Sequence, residues 1–250
     1  MSSSLANISG ILLDIEGTTT PIAFVREVLF SYARSQVRNY LAAHFDSAET
    51  IADLARLREE HAADIKQGLG PPPLLDGPRE VEIGSITEYV RWLIERDRKS
   101  TGLKSLQGKI WRDGYLDGTL KAQVFADVPR ALKRWHDAGL KISIFSSGSV
   151  LAQRLLFAHT QAGALTSYID NYFDTTNGSK TNVESYRRIA SELGLQAGEI
   201  LFVSDVVGEL DAARVAGMQT LLCIRPGNQV QSLSQQHQII QSFDEICRSL

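Results

Sequence analysis

The stretch Ile8-Ser-Gly-Ile-Leu-Leu-Asp14-Ile-Glu16-Gly-Thr-Thr-Thr20 decides the fold. A short apolar run that stops at an acidic residue and a glycine reads as a buried strand of a parallel sheet. Its surroundings do not supply a partner. From Val25 to Phe45 the apolar residues recur in steps of three and four, which predicts a long amphipathic helix. A second helix is read over 48–66, ended by Gly68-Leu-Gly-Pro-Pro-Pro73. Ser85-Ile-Thr-Glu88 fits a capping box and is expected to open a third.

The texture changes after residue 120. Residues 140–145, 200–203 and 219–224 read as strands, with Ile239-Ile240 as a last short one before a closing helix. Helices are expected over 131–136, 149–159, 181–193 and 207–216, the third opened by a capping box at Thr181-Asn-Val-Glu184. Such alternation implies parallel β-α-β units. The first strand therefore waits until about residue 141 for a neighbour. The expected architecture is α/β: a doubly wound, Rossmann-like, mostly parallel sheet built from residues 1–20 and 121–250, with an inserted all-helical cap over 21–120.

In open parallel sheets, ligands bind outside the carboxyl ends of the strands. Four segments are expected at that edge: Asp14-Ile-Glu16, Ser146-Ser147-Gly148-Ser149, Gly178-Ser-Lys180, and Ser204-Asp205 with Glu209. Singly, each reads as a turn, a cap or a surface lysine. Together they supply what phosphoryl transfer needs: a nucleophile, charge neutralisation and positioned donors. Asp14 can take the phosphoryl group as an aspartyl-phosphate. Asp14, Glu16 and Asp205 form a ligand set for Mg²⁺, a hard cation held by few carboxylates. Lys180 offers a point charge. The hydroxyls of Ser146 or Ser147, and the N–H groups of Gly148 and Ser149, can cradle phosphate oxygens. Four carboxylates with Glu209 also require a cation, since two like charges 4 Å apart cost about 4 kcal/mol at an effective dielectric near 20.

These residues carry a resemblance. LLDIEGTTTPI at 12–22, LQGKIWRDGY at 106–115, LKAQVFADVPRALKRW at 120–135, FSSGSVLAQRLLF at 145–157, KTNVESYRRIA at 180–190 and LFVSDVVGELDAARVAGMQT at 201–220 resemble the enolase-phosphatase (acireductone synthase) family of haloacid-dehalogenase-like phosphatases. The resemblance implies a reaction of methionine salvage. One Mg²⁺ per subunit would serve both enolisation and dephosphorylation of 2,3-diketo-5-methylthiopentyl-1-phosphate, giving 1,2-dihydroxy-3-keto-5-methylthiopentene and phosphate. It assigns Asp14, Glu16 and Asp205 to the metal, Ser146, Ser147 and Lys180 to the substrate, and Asp14, Glu16 and Lys180 to catalysis. Glu16 stands where most of the superfamily carry Asp, so it is read as a ligand first and an acid–base group second. Enolisation needs a base, either Glu16 or a Lys180 of depressed pKa. Phe24, Tyr89 and Trp92 of the cap could meet the methylthio tail or simply pack the cap, and Trp111 and Tyr115 are equally open. The competing readings are another capped phosphatase of small phosphate esters, and a non-catalytic phosphate-binding module.

Composition sets the bounds. Of 250 residues 43% are hydrophobic and 22% charged, which excludes a disordered chain or a disulfide scaffold. The formal net charge of −3, with no basic stripe, argues against nucleic acid as partner. The two cysteines, Cys223 and Cys247, have no zinc-type spacing and are expected to be buried or half-buried reduced thiols. No signal peptide or membrane span is read. A cytoplasmic monomer is expected, with the nucleus also open to it if the source is eukaryotic.

Overall fold

The structure, a computed structural model, describes residues 7–98, 100–228 and 236–248. The chain divides into two compact units, Met1–Val25 with Lys121–Leu250, and Arg26–Leu120.

Among its described residues the first unit holds six strands: β1 (Gly10–Leu13), β2 (Lys141–Phe145), β3 (Asn171–Phe173), β4 (Ile200–Ser204), β5 (Gln219–Cys223) and β6 (Gln238–Ile240). They form one sheet in the order β3-β2-β1-β4-β5-β6, and every pairing is parallel. This is the doubly wound order, with its switch point beside β1. Every residue of β1 and β4 is buried, as expected of central strands covered on both faces. Register then fixes the site. Leu13 pairs with both Ile144 and Val203, so the residue after β1 comes level with the ends of β2 and β4. Phe145 pairs with Phe173, so the turn after β2 comes level with the end of β3.

Four helices follow the chain around this sheet: α5 (Val128–Asp137), α6 (Val150–Ala158), α7 (Val183–Leu193) and α8 (Val207–Val215), with a closing 3-10 turn at Phe243–Arg248. On one side, Tyr186, Ile189 and Leu193 of α7 and Leu210 and Ala213 of α8 join Leu12, Phe145 and Phe202 in one buried cluster.

The second unit is helical throughout its described secondary structure. The helix expected over 25–45 begins as a π-helical segment, Phe24–Phe30, and continues as α1 (Ser31–His44). Then come α2 (Ala48–Lys66), α3 (Arg79–Glu95) and α4 (Thr101–Leu116). Here α2 lies against α4, and α1 against α3 and α4. Tyr89 and Trp92 stack on each other in this unit's interior, and the buried Trp111 donates its Nε1–H to the Leu29 carbonyl. Packing is thus what these aromatics do here. A buried ion pair, Lys109 with Asp53 at 2.5 Å, adds a polar tie.

Two capping assignments are corrected. Helix α3 starts at Arg79, with Pro78 as its N-cap, and Ser85 sits inside it. The Ser85 hydroxyl donates to the Glu82 carbonyl and accepts from Leu75 N–H, so it serves the preceding loop. Helix α7 is capped by Asn182, whose side chain accepts from Glu184 N–H, one residue after the expected Thr181. Strand β3 was not anticipated. Among the described residues no helix is long and apolar enough to cross a membrane. Cys223 is a buried free thiol, and the Cys247 side chain lies outside the described residues.

Candidate active site

Asp14 follows directly on β1 and is buried. The turn that follows folds on a single carbonyl, since Thr18, Thr19 and Thr20 all donate their N–H to Ile15 O. Gly17 sits at φ +79° in that turn, a conformation that disfavours a side chain. It also lies hard against Asp205, because a Cβ at this position would fall 2.3 Å from Asp205 Oδ2.

Asp14 Oδ1 accepts from Ile15 N–H at 2.7 Å and from Lys180 Nζ at 2.5 Å. Lys180 arrives on the loop before α7, where the Tyr186 hydroxyl donates to its carbonyl at 2.6 Å. Its Nζ also meets Glu209 Oε2 at 2.6 Å, and Glu209 in turn accepts from Ser204 Oγ at 3.0 Å. One buried ammonium therefore joins two carboxylates, one just past β1 and one on the first turn of α8. Burial works against the charge on Lys180, but Asp14 and Glu209 outweigh it and hold the pKa above the usual lysine value.

Asp205 follows β4. Burial, then the charges of Asp14 and Glu209, push its pKa up to about 7. Its Oδ1 is buried and, among the described residues, has no hydrogen-bond partner. Burial and Asp14 also raise Glu209. Glu16 is half-buried on the turn, bridged in strand fashion to Thr20. Among the described residues, no three His, Cys, Asp or Glu side chains gather into a ready-made cation cage. Asp14, Glu16 and Asp205 thus share the turn and the strand end without closing a three-carboxylate cluster.

Ser146 and Ser147 form the turn after β2, the first half-buried and the second exposed. Ser146 Oγ accepts from Gly148 N–H at 3.2 Å, so this amide, expected to cradle an anion, is bonded within the turn. Ser149 is the N-cap of α6, its side chain accepting from Ala152 N–H.

Several residues at the site were given no role in the sequence reading. Glu209 was counted only as charge, although its place four residues after Asp205 could have paired the two. Arg225 and Asn228, after β5, grip the Asp14 turn by its backbone. Arg225 Nε donates to Thr18 O at 3.1 Å, and Asn228 Nδ2 donates to Gly17 O at 2.9 Å. The Arg225 guanidinium is itself fixed by Asp127 at 2.8 Å and lies between the rings of Phe125 and Phe243.

Comparison with known proteins gives the family. Residues 8–217 match the haloacid dehalogenase-like hydrolase family. The chain is 50% identical over 240 residues to a protein of Synechococcus elongatus named enolase-phosphatase E1, covering 96% of this chain and 98% of that one. It is 44% identical over 236 residues to a protein of the same name from Sorangium cellulosum, covering 94% and 96%. The crystal structure of the UTR4 protein from Saccharomyces cerevisiae superposes with a TM-score of 0.75 at 36% identity, over 95% of this chain and 99% of that one. With its buried aspartate at the switch point and near full-length similarity to these relatives, the chain belongs to the haloacid dehalogenase-like hydrolases and, within them, to the enolase-phosphatase E1 family.

Proposed function

We propose that this chain is a Mg²⁺-dependent enolase-phosphatase of methionine salvage, converting 2,3-diketo-5-methylthiopentyl-1-phosphate to 1,2-dihydroxy-3-keto-5-methylthiopentene and inorganic phosphate. The observation that carries the reading is the Asp14–Lys180–Glu209 chain of charges, with the unpartnered Asp205 Oδ1 nearby at the neighbouring strand end. Similarity to relatives named enolase-phosphatase E1 narrows the substrate.

The residues fit the metal this chemistry calls for. Asp205 is a carboxylate in need of a cation: buried, crowded by Asp14 and Glu209, with one oxygen lacking any partner. Few hard oxygen donors, completed by water and phosphate, suit Mg²⁺ better than a full protein cage. Asp14, Glu16 and Asp205 would hold it. When bound, the ion supplies Lewis acidity toward the diketone oxygens and neutralises phosphate charge.

The side chains then divide the work. Glu16, on the turn, serves as the acid–base group that takes the proton from the carbon bearing the ester, while Lys180 pairs with Asp14 and Glu209. Asp14 Oδ1 is committed to Lys180 and Ile15 N–H, so Oδ2 attacks phosphorus in line. The Asp14 O–P bond forms as the ester P–O bond breaks, and the departing oxygen takes the proton that Glu16 removed from carbon. Water then attacks phosphorus, phosphate leaves, and the Asp14 carboxylate is restored. Ser146 and Ser147 contact the phosphate from the β2 turn.

The test follows enediol absorbance and phosphate release separately on the diketone phosphate, with Mg²⁺ and with EDTA. The expected result is Mg²⁺-dependent enediol followed by phosphate, with Asp14→Asn releasing no phosphate. Phosphate freed without any enediol would reassign the chain to simple ester hydrolysis, and binding without turnover would make it a phosphate-binding module.

A further inference from the structure

Gln153 stands on the first turns of α6 and is 1% exposed. Its Nε2 donates to two main-chain carbonyls, Gly148 O at 2.9 Å and Phe173 O at 2.8 Å. Both partners are acceptors, so the orientation of the amide is fixed and both its N–H groups are used. Phe173 O also accepts from Ser146 N–H at 3.1 Å. This one side chain therefore ties the turn after β2 to the end of β3.

The consequence lies in the Gly148–Ser149 peptide. In a trans peptide the C=O and N–H point to opposite sides. Holding Gly148 C=O toward the buried amide turns the Ser149 N–H to the opposite side of that peptide, away from Gln153. The neighbouring Gly148 N–H is already taken by Ser146 Oγ. Ser149 N–H, at the positive end of α6, is then turned away from Gln153 and can meet an incoming anion.

We propose that Gln153 is a positioning residue for substrate phosphate: it aims the Ser149 N–H at a phosphoryl oxygen by holding the Gly148 carbonyl. This rests on the phosphatase reading above. Gln153 touches no substrate and acts only through the peptide it orients.

The test compares Gln153→Leu with wild type by KM and kcat on the diketone phosphate, and by calorimetric Kd for inorganic phosphate with Mg²⁺ present. A charge-assisted hydrogen bond misaimed should raise both KM and the phosphate Kd by roughly tenfold. The expected change in kcat is smaller than that in KM. Should Gln153→Leu fail to fold, Ser149→Pro decides. Ser149 has φ −61°, which proline adopts, so the change deletes the N–H without straining φ at this position. Ser149→Ala, which loses the cap but keeps the N–H, is its control. Phosphate Kd raised in Ser149→Pro and not in Ser149→Ala supports the proposal. Wild-type KM and phosphate Kd in a folded Gln153→Leu, with only a lower Tm, would overturn it, as would an unchanged Kd in Ser149→Pro. Absence of turnover by the wild-type protein would instead count against the proposed function, and the phosphate Kd values would still judge Gln153.

Discussion

Lys180 Nζ lies 2.5 Å from Asp14 Oδ1, and the same ammonium lies 2.6 Å from Glu209 Oε2. Both carboxylates depend on it, since each would otherwise face the other across a poorly solvated space. Replacing it with an apolar side chain of similar length leaves them unpaired. Lys180→Met should therefore lose about 3–5 kcal/mol of stability in urea unfolding. Phosphate release should fall by at least about 10²-fold. The double variant Lys180→Met/Glu209→Gln should be more stable than Lys180→Met alone, because one of the stranded charges is gone. Additive losses would show that Glu209 and Lys180 are not energetically coupled.

Asp205 invites a metal-removal experiment. Its Oδ1 has no partner among the described residues, and Asp14 and Glu209 repel its charge. A bound cation should relieve that repulsion. Mg²⁺ should raise the wild-type Tm, and EDTA should reverse the rise. In Asp205→Asn the metal-free Tm should match or exceed that of metal-free wild type, while the Mg²⁺-induced rise should disappear. Thermal unfolding with and without Mg²⁺ reads both quantities. A full Mg²⁺ response in the variant would remove Asp205 from the ligand set.

What the sequence made legible, and what it hid, follows from range. Asp14 and Asp205 each stand just past an apolar run, so the strand ends that place them can be read locally. Strand β3 is three residues, Asn-Tyr-Phe, too short to carry a period, and only its pairing with β2 makes it a strand. The Ser85 pattern misleads because Ser-x-x-Glu can recur inside a helix, whereas the true start is set by Pro78 just before it. Gln153 reads as one more polar residue on an amphipathic helix, since its two acceptors belong to a turn and to another strand. Arg225 meets the Asp14 turn across 207 residues of chain, a contact no local pattern encodes.

That long-range grip should matter to turnover. Arg225 is buried, and its fork serves Thr18 O, Asp127 and Gln241 O at once. Lysine keeps the charge but cannot reproduce the planar fork or its stacking between Phe125 and Phe243. Arg225→Lys should cost about 2–4 kcal/mol in stability, the loss of two or three hydrogen bonds to a charged group. Asn228→Ala removes only the bond to Gly17 O, at about 1 kcal/mol. If the grip orients the turn, Asn228→Ala should lower kcat several-fold with a Tm close to wild type. An unchanged kcat would restrict the grip to stability.

Cys223 supplies a prediction about reactivity and pH. Burial pushes its thiol up to about 12. The thiolate is the reactive form, and at pH 8 about one part in 10⁴ would be ionised in the folded state. An unfolded thiol, with a pKa near 8.5, would be substantially ionised. In a Cys247→Ser background, a disulfide reagent at pH 8 should label no thiol in native protein and one in denaturant. Raising the pH to 9 should leave native protein unlabelled as long as it stays folded. Rapid labelling of folded protein would show that the β5 end opens readily.

Gly17 allows backbone strain to be separated from damage to the site. Its φ is +79°, and an added Cβ would fall 2.3 Å from Asp205 Oδ2. Gly139, after α5, has nearly the same φ, +78°, but nothing within 4 Å of an added Cβ. Alanine at either position pays the left-handed backbone penalty, about 1–2 kcal/mol. Only at Gly17 must something also shift, and the nearest atoms are those of the Asp205 carboxylate. Gly139→Ala should therefore lower Tm while keeping kcat and the Mg²⁺-induced rise in Tm. Gly17→Ala should lower Tm further, weaken the Mg²⁺ response and cut phosphate release by at least about tenfold, as expected when a charged ligand is displaced by an ångström. Equal activity in the two variants would mean that the turn yields without moving Asp205, and that the close approach of Gly17 has no part in holding the metal.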